Sequence, residues 1–154
     1  MQRRQLVPVY VGLLAAIALL SVHALSEAKE MSDPKLAGVW KVAELTIDGN
    51  RLPAKDLVKA KIEIDVARFT NYEAPHGKET TAVISGGKQG DLSIMNLKIA
   101  EGKFKGTTLF GIYKFDGDDL LICQSDMRSE SAPTAFESKK GNYHALMRLT
   151  RVSE

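Results

Sequence analysis

The sequence predicts an all-β domain: an antiparallel β-barrel of about eight short strands with one short helix. Three observations lead there. Residues 61–66 alternate strictly, with Ile62, Ile64 and Val66 against Lys61, Glu63 and Asp65, which is the period-2 pattern of a half-buried strand. Residues 107–123 read as two apolar runs joined by Asp116-Gly117-Asp118, the composition of a tight hairpin. Short β-rich runs recur between turn signals, and no stretch of residues 36–154 has the length and period of a long amphipathic helix. That spacing suits a closed or nearly closed barrel, with a sandwich as the alternative.

Residues 1–24 have the layout of a secretory signal peptide. Arg3 and Arg4 open it, residues 6–20 are uncharged and mostly apolar, and Val22-His23-Ala24 supplies the small residues of a cleavage site. Residues 6–22 are also just long enough to stay behind as a membrane anchor, the only membrane attachment expected. Residues 25–35 are polar and aperiodic and read as a tether, leaving 36–154 as one domain. Export to the periplasm, the cell envelope or the outside follows.

Residues 39–47 form the first expected strand, ended by Asp48-Gly49-Asn50. Leu52, Leu57 and Val58 are spaced for a helical turn or two within 52–60, with Pro53 in its first turn. The strand at 61–66 is expected to run on through Phe69 and Tyr72 to a turn at 73–78. Residues 80–85 are a strand and Gly86 to Gly90 a loop. Residues 91–99 alternate with a phase change at Ile94-Met95, which a bulge explains. The hairpin 107–124 is apolar on both faces and is placed at the centre. A polar connection follows at 125–133, then a short strand at 134–137 and a turn at 139–142. The last strand, 143–152, puts Tyr143, Ala145, Met147 and Leu149 on one face.

The whole chain carries 21 basic and 19 acidic residues. The leader holds two arginines and no acid, so the remainder is balanced at 19 against 19. No general electrostatic case for nucleic acid exists. Cys123 is the only cysteine, so stability must come from packing rather than an internal disulfide.

Two resemblances join this reading. The runs Leu36-Ala37-Gly38-Val39-Trp40-Lys41-Val42, Ile47-Asp48-Gly49, Gly111-Ile112-Tyr113-Lys114, Asp116-Gly117-Asp118-Asp119-Leu120, Ile122-Cys123 and Pro133-Thr134-Ala135-Phe136 lie along the domain before a basic C-terminal strand. Together they resemble a family of small exported domains of unknown function abundant in planctomycete bacteria. One departure is Ala132, where that family often has an arginine. Gly38-Val39-Trp40 is similar to the Gly-x-Trp signature of lipocalin-type barrels. The likeness implies a lipocalin-like barrel in which Trp40 closes one end and an arginine of the last strand, Arg148 or Arg151, packs across it.

No residue pattern names a reaction. His76, His144 and Cys123 lack metal-ligand spacing. Asp116, Asp118 and Asp119 around Gly117 fit turn chemistry better than a calcium loop, whose later glutamate is missing. Cys123 reads as a buried small hydrophobe, and Gly86 to Gly90 lacks phosphate-loop spacing. Lys98, Lys103 and Lys105 read as a solvated hairpin tip. No nucleophile–base pair, metal set or cofactor motif is identifiable. The expected role is non-catalytic binding of a small apolar ligand or envelope component, with Trp40, Phe110, Tyr113 and Met147 as candidate lining. Trp40, Arg148, Arg151 and Gly117 are expected structural residues. The alternative is an interaction module of the cell envelope, without a cavity, whose partner is an envelope protein.

Overall fold

Ten antiparallel strands form one sheet in the computed structural model, which describes residues 33–72 and 80–153. They are β1 (Gly38–Ile47), β2 (Asn50–Arg51), β3 (Lys61–Ile64), β4 (Arg68–Tyr72), β5 (Thr80–Gln89), β6 (Leu92–Ile99), β7 (Thr108–Leu109), β8 (Gly111–Asp116), β9 (Asp119–Ser125) and β10 (His144–Arg151). Eight of them make a ring in the order β1-β3-β4-β5-β6-β8-β9-β10. The ring shuts because β10 returns to β1, placing Arg151 opposite Trp40 and Ala145 opposite Ile47. The molecule is therefore an eight-stranded barrel and not a sandwich, and closure leaves the ring no free edge. The two-residue strands β2 and β7 pair antiparallel with β1 and β6. The expected leader, residues 25–32 of the expected tether, His76 and the turn at 73–78 lie outside the described residues. The end of the tether is not aperiodic but enters the 3-10 turn Pro34–Leu36, capped by Asp33.

Alternation decides which side chains fill the interior. Ile62 and Ile64 of β3, Phe69 of β4, Ala82 and Ile84 of β5, and Met95 and Leu97 of β6 all join one buried cluster. Leu120 and Ile122 of β9 and Met147 and Leu149 of β10 complete it. On β1 the sequence parity breaks between Val42 and Glu44, where the register shifts against β10. That bulge at Ala43 lets Trp40, Val42 and Leu45 all face inward on one strand.

Several local expectations are corrected. The strand at 61–66 stops at Ile64, because the Asp65 carboxylate accepts from the amides of Ala67 and Arg68 at 2.8 and 2.7 Å and turns the chain. Val66 is left about two-thirds exposed, at 66%. Gly86 to Gln89 are strand rather than loop, paired with Met95 through Leu92 in unbroken register. No bulge lies at Ile94-Met95 in that pairing. The phase change instead marks where β6 changes partners, from β7 at Leu97 to β8 at Ile94. The helix is a single 3-10 turn, Ala54–Leu57, preceded by Pro53.

The hairpin β8–β9 is apolar on both faces for a reason other than centrality. Ile112 and Cys123, paired across it, are completely buried yet stand outside the interior cluster. They lie beneath residues 126–143, which strap the outer wall. Lys114 Nζ sits 4.7 Å from the Phe136 ring, Cys123 Sγ donates to the Glu137 carbonyl at 3.5 Å, and Pro133 is buried. Residues 134–137 are not the strand expected. Their polar backbone is satisfied locally, the Glu137 amide donating to Ala135 and its carbonyl accepting from Asn142 Nδ2 at 3.4 Å. Tyr143 precedes β10 instead of opening it, with a left-handed φ of 55° and a half-exposed ring.

Candidate functional site

The two ends of the barrel differ in chemistry. At one end the chain enters through the 3-10 turn Pro34–Leu36, followed directly by Gly38 and Trp40. Trp40 is wholly buried and its indole N–H donates to the Leu36 carbonyl at 2.9 Å. The Arg151 guanidinium lies 4.2 Å above the Trp40 ring and donates to the carbonyls of Ala37, at 2.8 Å, and Lys35. Gly38 makes room for it: φ is +139°, and a Cβ there would stand 2.5 Å from Arg151 Nη1. Phe115 and Tyr113 continue inward as an aromatic file, with centroids 6.4 Å from Trp40 to Phe115 and 6.3 Å from Phe115 to Tyr113. Burial pushes the Tyr113 phenol above its ordinary pKa, and the nearby Asp33 carboxylate adds to the rise. The interior at this end is packed, and on its outer surface Trp40, Phe115 and Arg151 border a depression of about 550 Å³.

At the opposite end the interior is open. A cavity of about 450 Å³ occupies it, within the range of small-molecule sites. Its walls are Phe69, Ala82, Leu97, Ile99, Leu109 and Ala145, all on inward register positions. Polar groups enter at three points: Asn71 of β4, its ladder partner Thr80 of β5, and Gln124 of β9. By the strand order, β4 and β9 stand on opposite sides of the ring. Gln124 is 91% buried, its exposure being 9%, and its Nε2 has no hydrogen-bond partner among the described residues.

The rim of the cavity is held by the strap and the β1–β2 turn. Asp48 and Gly49 both have positive φ, 48° and 79°, as a two-residue hairpin turn requires. The Asp48 carboxylate accepts from the amides of Gly141 and Tyr143 at 2.7 and 3.1 Å, and the Gly49 amide donates to Ser138 Oγ at 3.0 Å. Arg128 donates to Asp126 and stacks 3.7 Å from the Tyr143 centroid. That hydrogen bond holds the Asp126 carboxyl below the usual carboxylate range. His144 Nδ1 lies 3.3 Å from the Glu137 carbonyl. The Arg128 guanidinium and the His144 ring on the rim thus already have partners.

The residues singled out from sequence fall elsewhere. Trp40 belongs to the plugged end, and Tyr113 and Met147 are packed into the core. Phe110 sits, half-buried, at the break between β7 and β8. There Ser125 Oγ donates to its carbonyl at 2.9 Å and accepts from its amide at 3.2 Å. None of Trp40, Phe110, Tyr113 or Met147 lines the open cavity. Of the two arginines, Arg151 covers Trp40. Arg148 instead clamps the β8–β9 turn, donating to Asp119 and Asp116 at 2.9 Å each, which raises its own pKa. Gly117 takes the left-handed conformation in that turn, φ 64°. Cys123 is buried and its thiol is pushed up by that burial. Among the described residues no three His, Cys, Asp or Glu side chains gather as a metal site would need.

A signal for the lining of this cavity was present in the sequence. Along β9 the inward positions read Leu120, Ile122, Gln124, and along β4 they read Phe69, Asn71. The interior pattern turns polar towards one end of each strand, and the cavity lies there. Comparison with known proteins finds no match, whether among family models, curated proteins or solved structures.

Proposed function

We propose that this is an exported β-barrel that binds a small apolar ligand or envelope component in the cavity at its open end, without catalysis. The observation that carries this reading is the cavity itself, about 450 Å³ with predominantly apolar walls. An eight-stranded barrel either fills its interior with side chains or holds one small ligand. This one does both, filling the end around Trp40 and leaving the other hollow. Export rests on the leader pattern of residues 1–24 and on the likeness to the planctomycete family of exported domains.

Native mass spectrometry of the mature domain, purified from its own envelope, tests the reading. A reproducible extra mass that vanishes on denaturation is the expected result. A bare monomer mass that persists after incubation with envelope lipids would overturn it and favour an envelope protein docked on the surface.

A further inference from the structure

Resting on the ligand-binding reading above, we propose that the cavity takes an uncharged apolar molecule bearing a carbonyl group, and that the Gln124 amide is the donor that recognises it. Gln124 occupies an inward position that continues Leu120 and Ile122. A leucine there would extend the apolar wall at no polar cost. The amide instead keeps a buried Nε2 without an acceptor among the described residues. An unmade hydrogen bond of that kind forfeits the group's hydration with nothing in return.

The neighbours explain why the protein supplies no partner. Gln124 is flanked across the ladder by Gly111 on β8 and Ala145 on β10. Neither neighbour has a side-chain polar atom to offer the amide. The last torsion of a glutamine is broad and roughly two-fold, so the amide can turn its NH2 towards the cavity that Gln124 lines. An acceptor on a ligand would complete it.

Charge on the rim selects against an anionic head group. Arg128 is bonded to Asp126 and stacked on Tyr143, and His144 Nδ1 is placed against a backbone carbonyl. Asp48 and Asp126 add two carboxylates at the same mouth. A carboxylate buried beside Gln124 would have no counter-charge and would have to shed its hydration unrepaid. A ketone, ester or amide meets the donor without that loss. Asn71 and Thr80, on the opposite wall, can receive a second polar end.

The test uses the mature full-length domain and three probes of ten carbons: decane, 2-decanone and decanoate. Each is titrated against a bound fluorescent apolar dye, N-phenyl-1-naphthylamine, on the wild type and on Gln124→Leu. Gln124→Met, which matches the side-chain length, serves if leucine disturbs the wall. The ratio of the two Kd values, decane over 2-decanone, cancels the dye and the shared chain. It is expected to fall about tenfold in Gln124→Leu, the loss of one good hydrogen bond. An unchanged ratio, with the dye still displaced, would overturn the role of Gln124 and leave the cavity reading intact. A preference for decanoate that survives the substitution would overturn it as well. Failure of the dye and of all three probes to bind the wild type would remove the ligand-binding reading and this assignment together.

Discussion

Gly38 offers the sharpest test of how the plugged end is built. Substituting alanine has two separable consequences. The residue is held at φ +139°, where any side chain brings strain on the order of 1–3 kcal/mol. The new Cβ would also stand 2.5 Å from Arg151 Nη1, so the guanidinium must leave. It then loses its contact with Trp40 and its hydrogen bond to Ala37. An exposed cation–π contact is worth about 0.5–1 kcal/mol and a charge-assisted bond at the surface about 1 kcal/mol. Gly38→Ala should therefore cost about 3–4 kcal/mol, and Arg151→Met alone about 1.5–2 kcal/mol, its stem still covering the indole. In the double variant the guanidinium is already gone, and only the backbone strain is added. The combined loss should fall short of the sum of the single losses by about 1.5–2 kcal/mol. Denaturant unfolding followed by tryptophan fluorescence measures all four proteins, since Trp40 is the only tryptophan and is wholly buried. Additivity within about 0.5 kcal/mol would refute the claim that Gly38 exists to admit Arg151.

Other expectations follow from the same geometry. Gly111→Ala would push a Cβ to 2.9 Å from the Met95 carbonyl and 3.1 Å from that of Cys123, costing about 1–3 kcal/mol in the same unfolding assay. Gly87→Thr, with nothing within 4 Å of its Cβ, should stabilise β5 by up to about 1 kcal/mol; the opposite order of effects would contradict the β5–β6 and β8–β9 registers. The Cys123 thiol, buried and raised in pKa, should react with a disulfide reagent at least about 100-fold more slowly in the native protein than in denaturant, and comparable rates would place it at the surface. Asp126 has a folded pKa below its unfolded value of about 3.9. Its small, solvent-screened contribution is present above that value and fades as pH falls through the folded one. An NMR titration should find its midpoint low and Arg128→Gln should move it up; a midpoint unmoved by that substitution would exclude the arginine as the cause.

Much of the barrel was legible because alternation is local. The apolar set Ile62 and Ile64, the β8–β9 hairpin with its Asp-Gly turn, and the turn at Asp48-Gly49 all stand as the residues suggest. Where local reading went astray, a contact remote in sequence or a side-chain cap intervened. Asp65 ends β3 early through its own hydrogen bonds. The double-faced apolarity of β8 and β9 answers to a strap from residues 126–143, not to a neighbouring sheet. Val66 and Tyr143 carried the right parity and still lie outside their strands.

The site followed the same division. Large apolar residues on core-type strands, Trp40, Tyr113 and Met147, are where a sequence invites a ligand to be placed, and they are where the barrel is packed. By itself the sequence determined the class of fold, the inward face of most strands and the residues of the tight turns. Each of these depends on neighbours two or three positions away. Only the tertiary structure decided that β10 closes on β1, that Arg151 rather than Arg148 covers Trp40, and that Gln124 faces a hollow instead of a core. Alternation assigns a side chain to a face but carries no information about its height along the barrel axis. That height is set by the stagger of eight registers taken together, and it separates the plug from the cavity.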